Sequence, residues 1–427
     1  MTGPATGPRA AALPLLAAQR PMWDTRRCDP SDPKDNCGAF FRLTDGIDGD
    51  ALQAAVSAAY AETEALRVTV RTHAGEPRQV ILPAAPVPWT ALELPDDDTA
   101  VAYMNTALGK AFDLSNGTAP CAHTLIETPD STYFFFLYDH ITLDAYGAQR
   151  YLTRIAQHFD AIVTGSTAPP SGFVPLARLV DEETSYRNSP RAEKDITYWH
   201  HLLSRPIPPA GFSPHVQAAS PRSARLTVPL PDACRSALPA LSAGTGIRWP
   251  AILITAVACE LSRISTQPEV ELVMLLGNRA TLNAVKTPTN MAKELPLRIK
   301  IAADDTFTDT ATRVSGQLAA AVAHQRVPTD RLPTFTARTY VNVIVGNPPR
   351  FTDRTSEFHV LATGPASNFR ANCSSDVTRV PFLEFEANPQ LYPPDSFERL
   401  GTGVTELLTR LVTQPDERLS RVLAAVP

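Results

Sequence analysis

The stretch FFFLYDHITLDAYG, Phe134 to Gly147, decides how this chain is read. The unbroken aromatic and aliphatic run from Tyr133 to Tyr138 predicts a strand buried on both faces, because a strand with one wet face would alternate apolar with polar residues. Such a strand belongs at the centre of its lobe. Past Asp144, residues Leu152, Ile155, Phe159 and Ile162 recur at helical spacing. The strand therefore hands over to a helix through a short loop that carries His140 and, four residues on, Asp144. An imidazole that ionises near neutrality can take a proton from an attacking amine or hydroxyl, or orient that nucleophile by a hydrogen bond. No serine or cysteine motif stands beside it, which points to direct transfer of an activated acyl group without a covalent enzyme intermediate. The start of the following helix offers a positive dipole end, the electrostatic need of a tetrahedral oxyanion.

Working outward, 427 residues exceed the usual single core, so two lobes of about 200 residues each are expected. Hydrophobic residues at 44% and charged residues at 19% give ample core material. The formal charge of -5 and the absence of any Lys/Arg cluster exclude a nucleic-acid partner, which needs a basic face for phosphate. Six cysteines, Cys28, Cys37, Cys121, Cys234, Cys259 and Cys373, show neither CxxC pairs nor zinc-like spacing, so no metal site is expected and free thiols in a reducing cytoplasm are. No segment approaches the ~20 apolar residues of a membrane span. The apolar patch Ala11 to Ala18 contains Pro14 and leads into a motif, not a cleavage site.

GDALQAAVSAAYAETEALRV predicts a helix with Leu52, Val56 and Tyr60 inward, followed by the strand LRVTVRT and then QVILP. The breakers TGSTAPPSG, Thr164 to Gly172, read as the linker between lobes, dividing the chain into 1–170 and 171–427. Beyond it, WPAILITAVACELSRI reads as a buried helix, and VELVMLL and TYVNVIVGN as strands.

The loop residues resemble the HHxxxDG motif of nonribosomal peptide synthetase condensation domains. Asp139, His140, Asp144 and Ala145 occupy its positions, so the second His and the Asp match while the first His and the Gly do not. Further segments follow in that family's order. LLAAQRPMW (Leu15 to Trp23) resembles AQxxxW, and ETEALRVTV (Glu62 to Val70) resembles HExLR. YWHHLL (Tyr198 to Leu203), GNR (Gly277 to Arg279), KELPLR (Lys293 to Arg298) and HQRVPTDRL (His324 to Leu332) complete the series. The resemblance implies an α+β fold of two chloramphenicol acetyltransferase-like lobes forming a V with a tunnel at their interface. It implies an acyltransferase that binds no cofactor, and with no adenylation signature or carrier motif in the letters the chain reads as a free-standing one. An acyl or peptidyl carrier protein in trans would present the thioester on its phosphopantetheine arm to a small-molecule or carrier-bound amine or hydroxyl, in the cytoplasm. A coenzyme A-dependent acyltransferase, a heterocyclization enzyme and a catalytically silent recruitment module are the other readings.

The resemblance makes His140 the catalytic imidazole and pairs Asp144 with Arg279, placed in the second lobe, as a salt bridge locking the loop. An ordinary helix N-cap is the plainer role for Asp144. Asp139 is read as structural, because strand alternation turns it away from His140. Asp139 and Asp144 also spell the DxxxxD of heterocyclization relatives, but Gly147 stands where their motif has Ser. Asn342, Arg67 and Tyr138 are tunnel-side candidates, Arg67 as a support for the loop or as a surface or inter-lobe ion pair. Around Lys293 only LPLR of the family's FVNTLPLR survives, which implies an unusual acceptor.

Overall fold

The computed structural model describes residues 12–345 apart from 44, 45, 85 and 221, residues 356–375 apart from 366, and residues 381–425. It is a mixed α+β protein whose contacts divide it into two units. The first comprises the described residues up to Asn188 together with Arg279–Met291 and the described part of Pro348–Gly364; the second holds the remainder.

The first unit is built on a five-stranded sheet in the order Ser356–Thr363, Asn36–Leu43, Thr132–Asp139, Cys121–Glu127, Trp89–Glu93. Only the last pair runs parallel. Thr132–Asp139 is therefore central, and all eight of its residues are buried. Alternation sorts its side chains as the pleat requires. Phe134, Phe136 and Tyr138 enter one cluster with Leu52, Val56 and Tyr60 of the helix Gly49–Glu62 and with Tyr151, Ile155 and Phe159 of the helix Ala145–Val163. Tyr133, Phe135 and Leu137 enter another with Ala100 and Met104 of the helix Asp97–Leu108. Ile162, expected on the inner face, is 44% exposed, because the last turn of its helix runs past the edge of the core.

The breakers Thr164 to Gly172 are a surface crossing within the first unit, and the chain passes to the second only after Asn188. Packing explains the difference from a division at 170. Leu176, Leu179 and Val180 of the helix Leu176–Arg187 pack with Leu16 and Val68 of the first unit, and the Leu176 N–H donates to Glu64 Oε2 at 2.7 Å.

One buried histidine in the core has a pH consequence. His123 receives the Tyr151 hydroxyl at its Nε2, 2.9 Å away, and donates from Nδ1 to the Pro88 carbonyl at 3.0 Å, which ties a core strand to the helix after the loop. Burial pushes its pKa down to about 4. The unfolded chain then binds the extra proton between pH ~6.5 and ~4, so this residue removes up to ~3 kcal/mol of stability as pH falls through that window and nothing above it. In His123→Phe the acid-side loss of stability is expected to be shallower by that amount. Parallel acid titrations of urea stability check it, and equal slopes would contradict the assignment.

The second unit carries a six-stranded sheet ordered Lys293–Lys300, Glu269–Leu276, Thr339–Val345, Phe369–Ser375, Phe382–Ala387, Ala224–Val228. Its core gathers on the helix Trp249–Ser265, where twelve consecutive residues from Ala251 to Ser262 are buried. Both strands and the helix expected from the second half are present. Among the described residues no single helix is long and apolar enough to cross a membrane, and no group of three or more His, Cys, Asp or Glu could hold a metal ion. None of the six cysteines is in a disulfide; five of them are buried and Cys28 is exposed.

Candidate active site

The loop from His140 to Asp144 is held almost wholly through its backbone. The His140 N–H donates to the Asp35 carbonyl at 2.8 Å, and the His140 carbonyl accepts from Asn290 Nδ2 at 2.8 Å. Gln19 Nε2 donates to the Ile141 carbonyl at 3.1 Å. Thr142 Oγ1 donates to the Asp139 carbonyl at 2.7 Å, and the Thr142 carbonyl accepts the Asn290 N–H at 2.9 Å. Satisfying these polar groups in a buried place leaves the loop one conformation. Gln19 and Asn290 were not among the sequence candidates. Gln19 is the Q of the AQxxxW resemblance and was within reach of that signal; Asn290, distant in sequence and outside every motif, was not.

Asp144 serves both roles that the sequence left open. As N-cap of the helix Ala145–Val163, its Oδ1 accepts the Gly147 N–H at 2.8 Å. The same carboxylate receives Arg279 Nη2 at 2.7 and 2.9 Å, and its Oδ2 accepts the Met291 N–H at 3.0 Å. Arg279 also donates to the Thr289 carbonyl at 2.7 Å and lies over the Tyr146 ring, 4.8 Å from its centroid. The pairing is as expected; the placement of Arg279 in the second lobe is not. Arg279–Met291 returns to the first unit, so the bridge closes inside that unit. The helix N-terminus is correspondingly occupied: its dipole meets the Asp144 carboxylate instead of standing open for an oxyanion.

Close packing accounts for Gly147. A Cβ built there would lie 3.0 Å from the Thr289 oxygen and 3.1 Å from its nitrogen, both backbone atoms that cannot swing aside. Gly147→Ser is therefore expected to lose ~1–3 kcal/mol and to gain no heterocyclizing activity. Thermal melting together with product analysis tests it, and a variant as stable as the parent would show that the approach is looser than these distances.

Asp139 turns away from His140, as alternation required. Its Oδ2 accepts from Arg26 Nη2 at 2.6 Å and its Oδ1 from the Ile141 N–H at 3.0 Å. The His140 ring rests against Gly364, whose Cα would carry a Cβ only 3.0 Å from His140 Cδ2 and whose φ of +90° disfavours any side chain. His140 Nδ1 is buried and has no hydrogen-bond partner among the described residues. Tyr138 lies in the core with its ring stacked 4.8 Å from Phe136, and burial raises its pKa well above the phenol range. Arg67 is neither a surface residue nor in an ion pair among the described residues, nor does it reach the loop: its guanidinium donates to the carbonyls of Leu82 and Ala61. Asn342 sits in the second unit, half-buried, in register between Leu275 and Asn372.

The comparisons with known proteins bear on this arrangement. The family model described as Condensation domain matches residues 10–346. The chain belongs to the condensation domain family. Members are acyltransferases that form amide bonds. Isonitrile lipopeptide synthase of Streptomyces coeruleorubidus is 27% identical over 443 residues, covering 99% of this chain and 30% of its own length. Enterobactin synthase component F of Escherichia coli (strain K12) is 25% identical over 433 residues, covering 94% of this chain and 32% of its own. The chain thus spans about a third of the length of these relatives. Among solved structures, the first condensation domain of the calcium-dependent antibiotic synthetase, in complex with a substrate analogue, has the same fold at a TM-score of 0.86 and 21% identity, covering 96% of this chain and 98% of that one. A mutant of the starter condensation domain of rhizomide synthetase, in complex with C8-CoA, gives 0.87 at 20% identity, covering 96% and 97%.

The condensation motifs of the second unit act as clamps. Trp199 Nε1 donates to the His324 carbonyl at 3.0 Å, and the Tyr198 ring stacks on His324 at 4.2 Å. Lys293, the departure noted beside LPLR, is buried and donates Nζ to the carbonyls of Arg326 and Val327 at 3.0 and 2.8 Å. That substitution thus ties one motif to the next.

Proposed function

We propose that this condensation domain transfers an acyl group from a carrier-protein phosphopantetheine thioester to an amine or hydroxyl acceptor, with His140 as the imidazole at the reacting centre. The observation that carries this reading is a preset loop presenting one imidazole whose hydroxyl neighbour is already spoken for. Thr142, fully buried, spends its Oγ1 on the Asp139 carbonyl and offers no nucleophile. The acceptor lone pair then attacks the thioester carbonyl directly, the tetrahedral oxyanion collapses, and the carbon–sulfur bond breaks. The proton lost by the acceptor passes by way of His140 or solvent to the departing thiolate.

On this reading a carrier protein acting in trans brings the loaded phosphopantetheine arm. The reading includes a cytoplasmic setting, where cysteine thiols stay reduced. It disfavours heterocyclization, because the Thr289 backbone fills the space a Ser at position 147 would need. Mass spectrometry of the purified chain with acyl-loaded carrier proteins, the matching acyl-coenzyme A, and amine or hydroxyl acceptors tests it. Product from the carrier-bound donor is expected. Equal or better transfer from acyl-coenzyme A selects a soluble-thioester enzyme. No product with any donor selects a silent recruitment module.

A further inference from the structure

Beneath the loop lies a buried charge cluster that the chemistry above does not use. Arg26, the last residue of the helix Gln19–Arg26, points its guanidinium into the first unit and is 3% exposed. Its Nη2 donates to Asp139 Oδ2 at 2.6 Å and stands 3.5 Å from Asp35 Oδ2, while Nη1 donates to the Phe112 carbonyl at 3.3 Å. Both carboxylates belong to residues that hold the His140 peptide. Asp139 precedes it in the chain, and the Asp35 carbonyl accepts its N–H. Asp139 Oδ1 in turn takes the Ile141 N–H on the far side of His140. One cation thus grips the residues between which the imidazole is mounted.

Burying a guanidinium this deeply is costly unless carboxylates or carbonyls answer it, and its planar fork can serve two acceptors where an ammonium is a single point of charge. The groups facing Asp139 act in opposite directions. Burial and the nearby Asp35 raise its pKa to about 6 against the pull of Arg26 and of the Ile141 amide. The condensation motif has His where Asp139 stands; in this chain a carboxylate holds that position and meets the Arg26 guanidinium.

We propose that Arg26 is a positioning residue for the transfer reaction, bridging Asp35 and Asp139 so that the His140 imidazole is aimed the same way in every molecule. The inference rests on the reading of His140 as the reacting imidazole. Without the bridge the ring is still present but misdirected, so turnover falls while donor and acceptor binding are left alone.

The test uses the full chain as Arg26→Met, Arg26→Lys, Asp139→Asn and His140→Ala, each measured for kcat, KM, melting temperature and the His140 ring resonance, which is assigned by its loss in His140→Ala. Arg26→Met is expected to lower kcat by ~100-fold with KM for the loaded carrier within about threefold, and to broaden or split the ring resonance. Arg26→Lys restores part of the kcat, because charge returns without the fork. Asp139→Asn, which keeps an acceptor for the Ile141 amide, loses less than Arg26→Met. A parental kcat and one sharp ring resonance in Arg26→Met overturn the proposal. Should that variant fail to fold, Arg26→Lys and Asp139→Asn decide, and parental kcat with a parental resonance in both overturns it equally. Full turnover by His140→Ala instead removes the reading of His140, while the ring resonance still reports whether Arg26 aims it.

Discussion

Asp144→Ala is expected to destabilise the first unit by ~3–5 kcal/mol, the usual loss when one side of a buried, hydrogen-bonded ion pair is removed. Three separate elements lose their anchor at once. The helix Ala145–Val163 loses its cap to Gly147, Arg279 loses its carboxylate, and the Met291 N–H loses its acceptor. Arg279 is then left buried with its Thr289 contact alone among the described hydrogen bonds, its Nε and Nη1 already having none there. Asp144→Asn keeps an acceptor for the cap, so it is expected to fall between Ala and the parent. Hydrogen exchange should show the segment Arg279–Met291 and the loop 140–144 opening together in Asp144→Ala. Exchange confined to the first turn of the helix would mean that Asp144 is only a cap and that Arg279 is held by other contacts.

His140→Ala is expected to lower transfer by ~10²–10⁴-fold, the range that a positioned acid–base group contributes, with a melting temperature close to the parent's. The two halves of that expectation have one cause. The anchors of His140 are its backbone N–H to Asp35 and its carbonyl to Asn290, both of which survive the substitution. The ring adds no hydrogen bond through Nδ1 among the described residues, so its removal takes little from the fold. A large drop in melting temperature would mean that the ring is a packing element and would leave the rate loss uninterpretable as chemistry.

The central strand and the two helices that flank it were legible because burial writes itself into local pattern: Tyr133 to Tyr138 has no polar position, and Leu52, Val56 and Tyr60 repeat at helical spacing. His140 and Asp144 were legible because their spacing is local too. What was not legible depends on chain return. Nothing between Gly277 and Met291 announces that this short segment leaves the second unit to supply Arg279 and Asn290 to the first, nor that residues up to Gly364 place a strand at the sheet edge and a glycine against the imidazole. The breakers at Thr164 to Gly172 misled for a related reason. Turn residues mark where a chain bends, and whether the bend also parts two cores depends on what Leu176 and Leu179 pack against. Arg26 escaped notice because an arginine among exposed neighbours at a helix end gives no sign in the letters of turning inward to Asp139.

The central claim is that one imidazole, held by a preset loop, carries acyl transfer without an enzyme-bound acyl intermediate. Intact-protein mass spectrometry through a single turnover, with a loaded carrier protein and an amine acceptor, tests it most directly. The account predicts that the carrier loses its acyl mass and product appears with the parent chain, that neither happens above background with His140→Ala, and that the chain itself never gains the acyl mass. An acylated chain on the way to product, or product from His140→Ala at the parental rate, would contradict it.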